Sequence, residues 1–263
     1  MASRGHGTSG FTLLELLVAM GIFLIICAAM FELLDMSQKR YNSETQVTAA
    51  YQDARLAMDQ IVRDVNAAGY PPATMFSSVP VSPWLYANVP IAWSPNYYPS
   101  LTDCQLGSTC VTPGDYDLIV ETRLSTDSNV NWIRYYLNGT TLYRQVAQKA
   151  TGDPLGVVSV GETSPLISNV MNNPDPTVLA QIRTQYPSMF PGASPQPIFT
   201  YTCGSPSGPV SCTSAQAIGY TTPKNIRDVN VTLIVKTPQA DMQTQRLKLV
   251  ELSGRGHPIN SNH

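Results

Sequence analysis

Hydrophobic residues are spread very unevenly along this chain. After a short polar leader, residues 1–9, and Gly10, a strongly apolar run begins at Phe11 and reaches Leu34. Its central stretch, residues 16–31, carries no charge and corresponds to about 24 Å of helix. With the flanking apolar residues 11–14 and 33–34 added, about 36 Å becomes available, enough to cross a ~30 Å hydrocarbon core with some tilt. Beyond it, Val47, Tyr51, Ala54, Met58, Ile61, Val62 and Val65 recur at helical spacing and predict that the same helix continues with one apolar stripe. Asp59 and Arg63 stand i,i+4 with the acid first, the favoured order for a helical pair. Gly69 is placed to cap the helix, and Pro71-Pro72 forbid its continuation. The pattern therefore predicts one helix over about residues 11–67, roughly 85 Å long. Gly21 is its weak point, at about 1 kcal/mol relative to alanine. The stripe from Val47 to Val65 is expected to carry a globular domain, which leaves Gln46, Gln52, Arg55 and Gln60 free to meet neighbours.

The rest of the chain changes period. Residues 75–112 hold prolines and aromatics, including Trp84 and Trp93, without any sustained repeat, and predict a long ordered loop. Strand formers then dominate residues 116–123, 130–137 and 141–147, the last two flanking Asn138-Gly139, a strong hairpin signal. Short strands are expected at 155–160 and 166–170, a short helix at 176–186, a strand at 198–203, and a closing antiparallel pair at 226–237 and 244–252. The tail from Gly254 is polar and is expected to be loose. A long helix, a loop and a mostly antiparallel sheet make an α+β fold. The organisation expected is a leader (1–10), an apolar half-helix (11–34), an amphipathic half-helix (35–68), a β-rich domain (69–253) and a flexible tail (254–263).

Composition narrows the setting. Charged residues make up 13%, about half the usual ~25%, and Pro, Ser, Thr and Asn fill the loops, as suits a protein outside the cytoplasm. A net charge of −2 provides no basic field, so no nucleic-acid partner is expected. Cys27 lies in the apolar run and reads as a small packing residue. The other cysteines come as close pairs, Cys104/Cys110 and Cys203/Cys212. Four cysteines allow three pairings; two local loops are the simplest, each worth roughly 2–3 kcal/mol in the chain-entropy picture, and they imply an oxidising compartment.

Candidate chemistry is sparse. The histidines are His6, His257 and His263, all in the leader or the tail, which gives little basis for a Ser/His/Asp or Cys/His arrangement. No phosphate loop, H-E-x-x-H pair or dinucleotide fingerprint occurs. Asp103, Asp115 and Asp117 lie close in sequence but lack the run and the distal glutamate of a calcium loop. Neither a cofactor nor a metal is expected, and no enzymatic activity. Asn138-Gly139-Thr140 and Asn230-Val231-Thr232 fit a glycosylation sequon, but a turn explains the first and a strand holds the second.

One residue stands out against this background. Glu15 lies within the apolar run, where an ionised carboxylate near the bilayer centre costs about 2.5–3.5 kcal/mol on insertion scales. The sequence Gly10-Phe11-Thr12-Leu13-Leu14-Glu15-Leu16-Leu17-Val18 resembles the prepilin cleavage and methylation motif of type IV pilins and type II secretion pseudopilins. That resemblance implies cleavage between Gly10 and Phe11 by a prepilin peptidase at the inner membrane. It also implies N-methylation of Phe11 and pairing of Glu15 with the Phe11 amino group of a neighbouring subunit. An ammonium group beside the carboxylate makes its burial tolerable. Further stretches, residues 55–66, 133–144 and 229–235, are similar to PilW-type minor pilins and J-type pseudopilins. The function implied is a minor pilin that primes or caps a filament, with a minor pseudopilin or a pilus-tip adhesion module as alternatives. The partners implied are other pilin or pseudopilin subunits, the peptidase, an inner-membrane assembly platform, and lipid before assembly. The globular domain would lie in the periplasm.

Overall fold

The computed structural model describes residues 12–87, 90–93, 113–125, 127–149, 161–205, 208–212 and 225–259. Helix α1, Leu13–Asn66, is 54 residues long, about 81 Å. Thr12 caps it by accepting the Glu15 N–H on its hydroxyl at 3.3 Å, satisfying one orphan donor of the first turn. At the far end Gly69 takes φ 83°, a conformation glycine adopts without penalty. Its N–H then donates to the Glu121 carbonyl at 2.8 Å, so the chain passes directly from helix to sheet.

Two antiparallel sheets follow. The first has strand order β1-β2-β3-β4-β5, with β1 Ile91–Ala92, β2 Asp117–Thr122, β3 Asn131–Asn138, β4 Thr141–Gln148 and β5 Glu162–Ile167. The second has order β7-β6-β8-β9, with β6 Phe199–Ser205, β7 Gly208–Ser211, β8 Ile226–Lys236 and β9 Leu249–Gly256. Both sheets pack on the C-terminal half of α1. A single core joins Ala54, Ile61 and Val65 of the helix to Leu118, Ile133, Tyr135, Phe199, Val231 and Leu233 of the strands. On the outer side of β8, Ile234 turns into a second, smaller cluster with Leu179 and Ile182 of α2, Pro176–Gln185. Helix α2 starts where Asp175 accepts the Thr177 N–H at 2.9 Å, an N-cap followed by proline at the first helical position.

Several elements differ from the sequence reading in detail. The buried stripe of α1 runs through Ser43, Ala50, Ala54, Ala57, Met58, Ile61, Asp64 and Val65, while Tyr51 remains 46% exposed. Alanines carry little hydrophobic signal, yet they are what lets a sheet approach a helix closely. The expected Asp59–Arg63 pair is replaced by neighbours: Arg63 donates to Gln60, and Asp59 lies 4.0 Å from Arg55. The β3–β4 hairpin pairs Asn138 with Thr141, which makes Gly139-Thr140 the turn. Gly139 has φ 59° and Thr140 does not, the glycine-first pattern of a type II′ turn. Strand β5 begins before residue 166, and Val170 instead bridges to Val235 of the second sheet. Strand β9 continues through Gly254 to Gly256, paired with Val229, because β8 offers a ladder partner that far along. From the aromatic loop, Trp93 is buried with its ring 6.3 Å from Tyr201. Residues 94–112, with Cys104 and Cys110, and residues 155–160 lie outside the described residues.

Candidate functional site

The largest uncovered feature is the N-terminal half of α1. An eighteen-residue window there has a mean hydropathy of 2.6 and is not buried anywhere against the rest of the chain. Leu13, Leu14, Phe23, Ile25, Phe31 and Leu33 are all more than three-fifths exposed. Soluble monomers do not leave a continuous apolar surface of this size to water. Such a surface is suited to lipid or to other apolar helices, and by length and composition the segment can cross a membrane. Glu15 sits in its first turn and is exposed. The next charge along the helix is Glu32, about 25 Å further along the axis, close to the thickness of a hydrocarbon core. Gly10 and Phe11 lie outside the described residues.

The globular domain grips the other half of this helix through charged contacts as well as through the core. Asp64 points from α1 into the sheet, where its carboxylate accepts from the Tyr135 hydroxyl at 2.5 Å and from Arg144 Nε and a terminal guanidinium nitrogen at 3.0 and 2.9 Å. Burial, and then the Asp64 carboxylate, push the Tyr135 phenol well above its ordinary value, so it stays a donor. The remaining Asp64 oxygen accepts from Gln60 at 3.0 Å. At the lower edge of the domain, Asp241 in the β8–β9 connection accepts from the Ser43 hydroxyl at 2.7 Å. That hydrogen bond, with others from the Thr244 backbone and Lys248, holds the Asp241 carboxyl well below the usual range. At the upper end, the His257 N–H donates to the Asn66 side chain at 2.7 Å. The buried Asp228 meets Arg255 and His257. Burial raises its pKa, but the hydrogen bonds from those two residues outweigh it and leave a net lowering. The helix is thus tied to the domain at both ends of their contact.

Other candidates resolve into structural roles. A disulfide joins Cys203 of β6 to Cys212 just after β7, closing the β6–β7 hairpin. Cys27 is a free thiol. Asp117 is held by Arg134, with contacts at 2.9 and 2.5 Å, and burial raises the pKa of the neighbouring Asp115. Among the described residues no three His, Cys, Asp or Glu side chains gather as a metal site. Lys149 and Glu121 form an almost wholly enclosed ion pair, and Lys149 also donates to the Tyr86 carbonyl at 3.1 Å. Neither Asp64–Tyr135–Arg144 nor Lys149–Glu121 was expected from the sequence. For the first a signal existed: Asp64 falls on the apolar face of the helix, where a lone acid needs a partner.

Comparison with known proteins bears on the exposed half-helix. Residues 6–31 match the family model of the prokaryotic N-terminal methylation motif. The match indicates a type IV pilin-like prepilin leader, with the processing by prepilin peptidase and the assembly with other pilins that such a leader implies. No curated protein and no solved structure matches the chain.

Proposed function

We propose that this chain is a minor pilin of a type IV pilus, of the PilW type, that primes or caps filament assembly. The observation that carries the reading is the methylation motif at residues 6–31, continuous with a helix whose apolar half has no cover of its own and whose other half is locked to a β-rich domain. Cleavage between Gly10 and Phe11 exposes an amino group at Phe11, which the same peptidase methylates. Glu15, four residues on, pairs with that group on a neighbouring subunit. The pair cancels a charge that is costly in hydrocarbon, so it favours assembly over separate subunits in the bilayer and sets their register. Before assembly the apolar half-helix anchors the chain in the inner membrane, with the domain in the periplasm.

The test is Glu15→Ala in cells that assemble the filament. The variant should be cleaved and inserted normally but should be largely absent from sheared, purified filaments. Wild-type levels of the variant in those filaments would refute the pairing. Recovery of the wild-type chain with a secretin-linked secretion apparatus, and not with pili, would reassign it to the pseudopilins.

A further inference from the structure

Helix α1 carries a second cation and acid with the spacing of the assembly pair. Arg40 stands four residues before Glu44, as Phe11 stands four before Glu15. Glu15 and Glu44 belong to one unbroken helix. They are separated by about eight turns, ~43 Å, and so leave the helix on nearly the same face. Arg40 and Glu44 are both exposed. Neither has an ion-pair partner among the described residues, although Lys39 and Asp35 in the adjoining turn are joined at 2.6 Å. The basic-first order explains why the local pair is not made, since it is the weaker orientation within one helix. The surrounding surface also lacks cover: Met36 is 41% and Tyr41 71% exposed, which extends the apolar face of the lower helix up to this point.

We propose that Arg40 and Glu44 form a second contact between parallel α1 helices of two copies of this chain, Glu44 of one against Arg40 of the other. The proposal rests on the assembly reading above. An axial offset of four residues, about 6 Å, brings Glu15 level with the terminus of its neighbour. The same offset brings Glu44 level with the neighbour's Arg40, and Lys39 level with the neighbour's Asp35. With no offset, Glu44 faces Glu44 and Arg40 faces Arg40, and like charges oppose that register. The lower pair acts inside the bilayer and the upper pair in water, so the helix is held in register at two heights. A contact in water is weak and salt-sensitive; its effect is on register and partner choice more than on affinity.

The test uses two differently tagged full-length copies expressed together, solubilised in mild detergent at low salt, and recovered on one tag while the other is measured. Arg40→Glu and Glu44→Arg should each lower recovery about two- to five-fold. One tagged copy carrying R40E, expressed with a second carrying E44R, should return to within about 1.5-fold of wild type, because opposite charges again face each other at the same offset and neither helix can pair these two positions locally. Salt at 0.5 M should remove the differences. The proposal is overturned if the single reversals, each carried by both copies, leave recovery unchanged, if the mixed R40E and E44R pair stays as low as the singles, or if wild-type copies are not recovered together. Glu15→Ala separates the two ideas. Recovery lowered by Glu15→Ala but not by the single reversals sinks this contact and leaves the assembly reading standing. The converse supports this contact and removes the Glu15 pairing. Thermal unfolding of each variant, expected within about 1 °C of wild type for such exposed positions, guards against loss of fold.

Discussion

Gly256→Ala tests how closely the domain must sit on the helix. A Cβ at Gly256 would lie 2.5 Å from Val65 Cγ1 and 2.6 Å from Val65 Cβ. Val65 is completely buried, its β-branched side chain is stiff, and its Cβ is fixed by the helix backbone. Relief therefore requires β9 or α1 to move. Gly254 offers the contrasting case. A Cβ there would meet Met58 Sδ at 2.6 Å and Cγ at 3.0 Å, the far end of a flexible thioether that can swing aside. Neither glycine has positive φ, so alanine suits the backbone at both sites and only the steric contact separates them. Overpacking costs about 1–3 kcal/mol, against which alanine regains about 0.4–1 kcal/mol by narrowing the unfolded ensemble. Gly256→Ala should come out near 2 kcal/mol destabilising, and Gly254→Ala near zero to 1 kcal/mol. At about 2–4 °C per kcal/mol for a domain of this size, Gly256→Ala should lower Tm by roughly 4–8 °C and Gly254→Ala by at most about 4 °C. The assay is thermal unfolding of the purified full-length chain in detergent, followed by near-ultraviolet circular dichroism. A Gly256→Ala melt within about 1 °C of wild type, or a lower melt for Gly254→Ala than for Gly256→Ala, would refute the close-approach argument.

The charged ties give further expectations. Lys149→Met leaves the Glu121 carboxylate enclosed without its cation and should cost about 3–5 kcal/mol; adding Glu121→Leu should recover most of that loss in urea titrations, and an equally unstable double variant would show that the pair was not the cause. Arg144→Ala should destabilise the domain by about 3 kcal/mol, since Asp64 and Tyr135 remain buried together, whereas Arg55→Ala, at an exposed helix pair, should change the same titration by under ~0.5 kcal/mol. Asp228 and Asp241 both have lowered pKa values in the fold. Their contribution is therefore present above the unfolded value of about 3.9 and is lost as pH falls through the folded one. The urea midpoint should drop below about pH 4, and less steeply in Asp241→Asn, as a pH series on the two proteins would measure.

The signals behind the proposed function and anchor lie in local sequence; the attachment of the β-rich domain does not. The motif around Glu15, the apolar length and the stop at Gly69 and Pro71 can all be read from neighbouring residues, because cleavage sites, membrane spans and helix caps depend on short-range chemistry. The β3–β4 hairpin was legible for the same reason, although its turn sits one residue later than Asn138-Gly139 suggested. Strand β7 gave no signal in its four residues, Gly208–Ser211; it is a strand because the Cys203–Cys212 bridge and the β6 ladder hold it there.

By itself, then, the sequence determined a prepilin-like motif leading into one long half-apolar helix, followed by an antiparallel β-rich domain. Tertiary structure alone decided which face of that helix the domain occupies and what fastens it. Asp64 meets Tyr135 and Arg144 across separations of 71 and 80 residues, and Gly256 meets Val65 across the whole domain. No periodicity encodes such pairs, because each partner has an ordinary local role, and the need for the other appears only once both leave water.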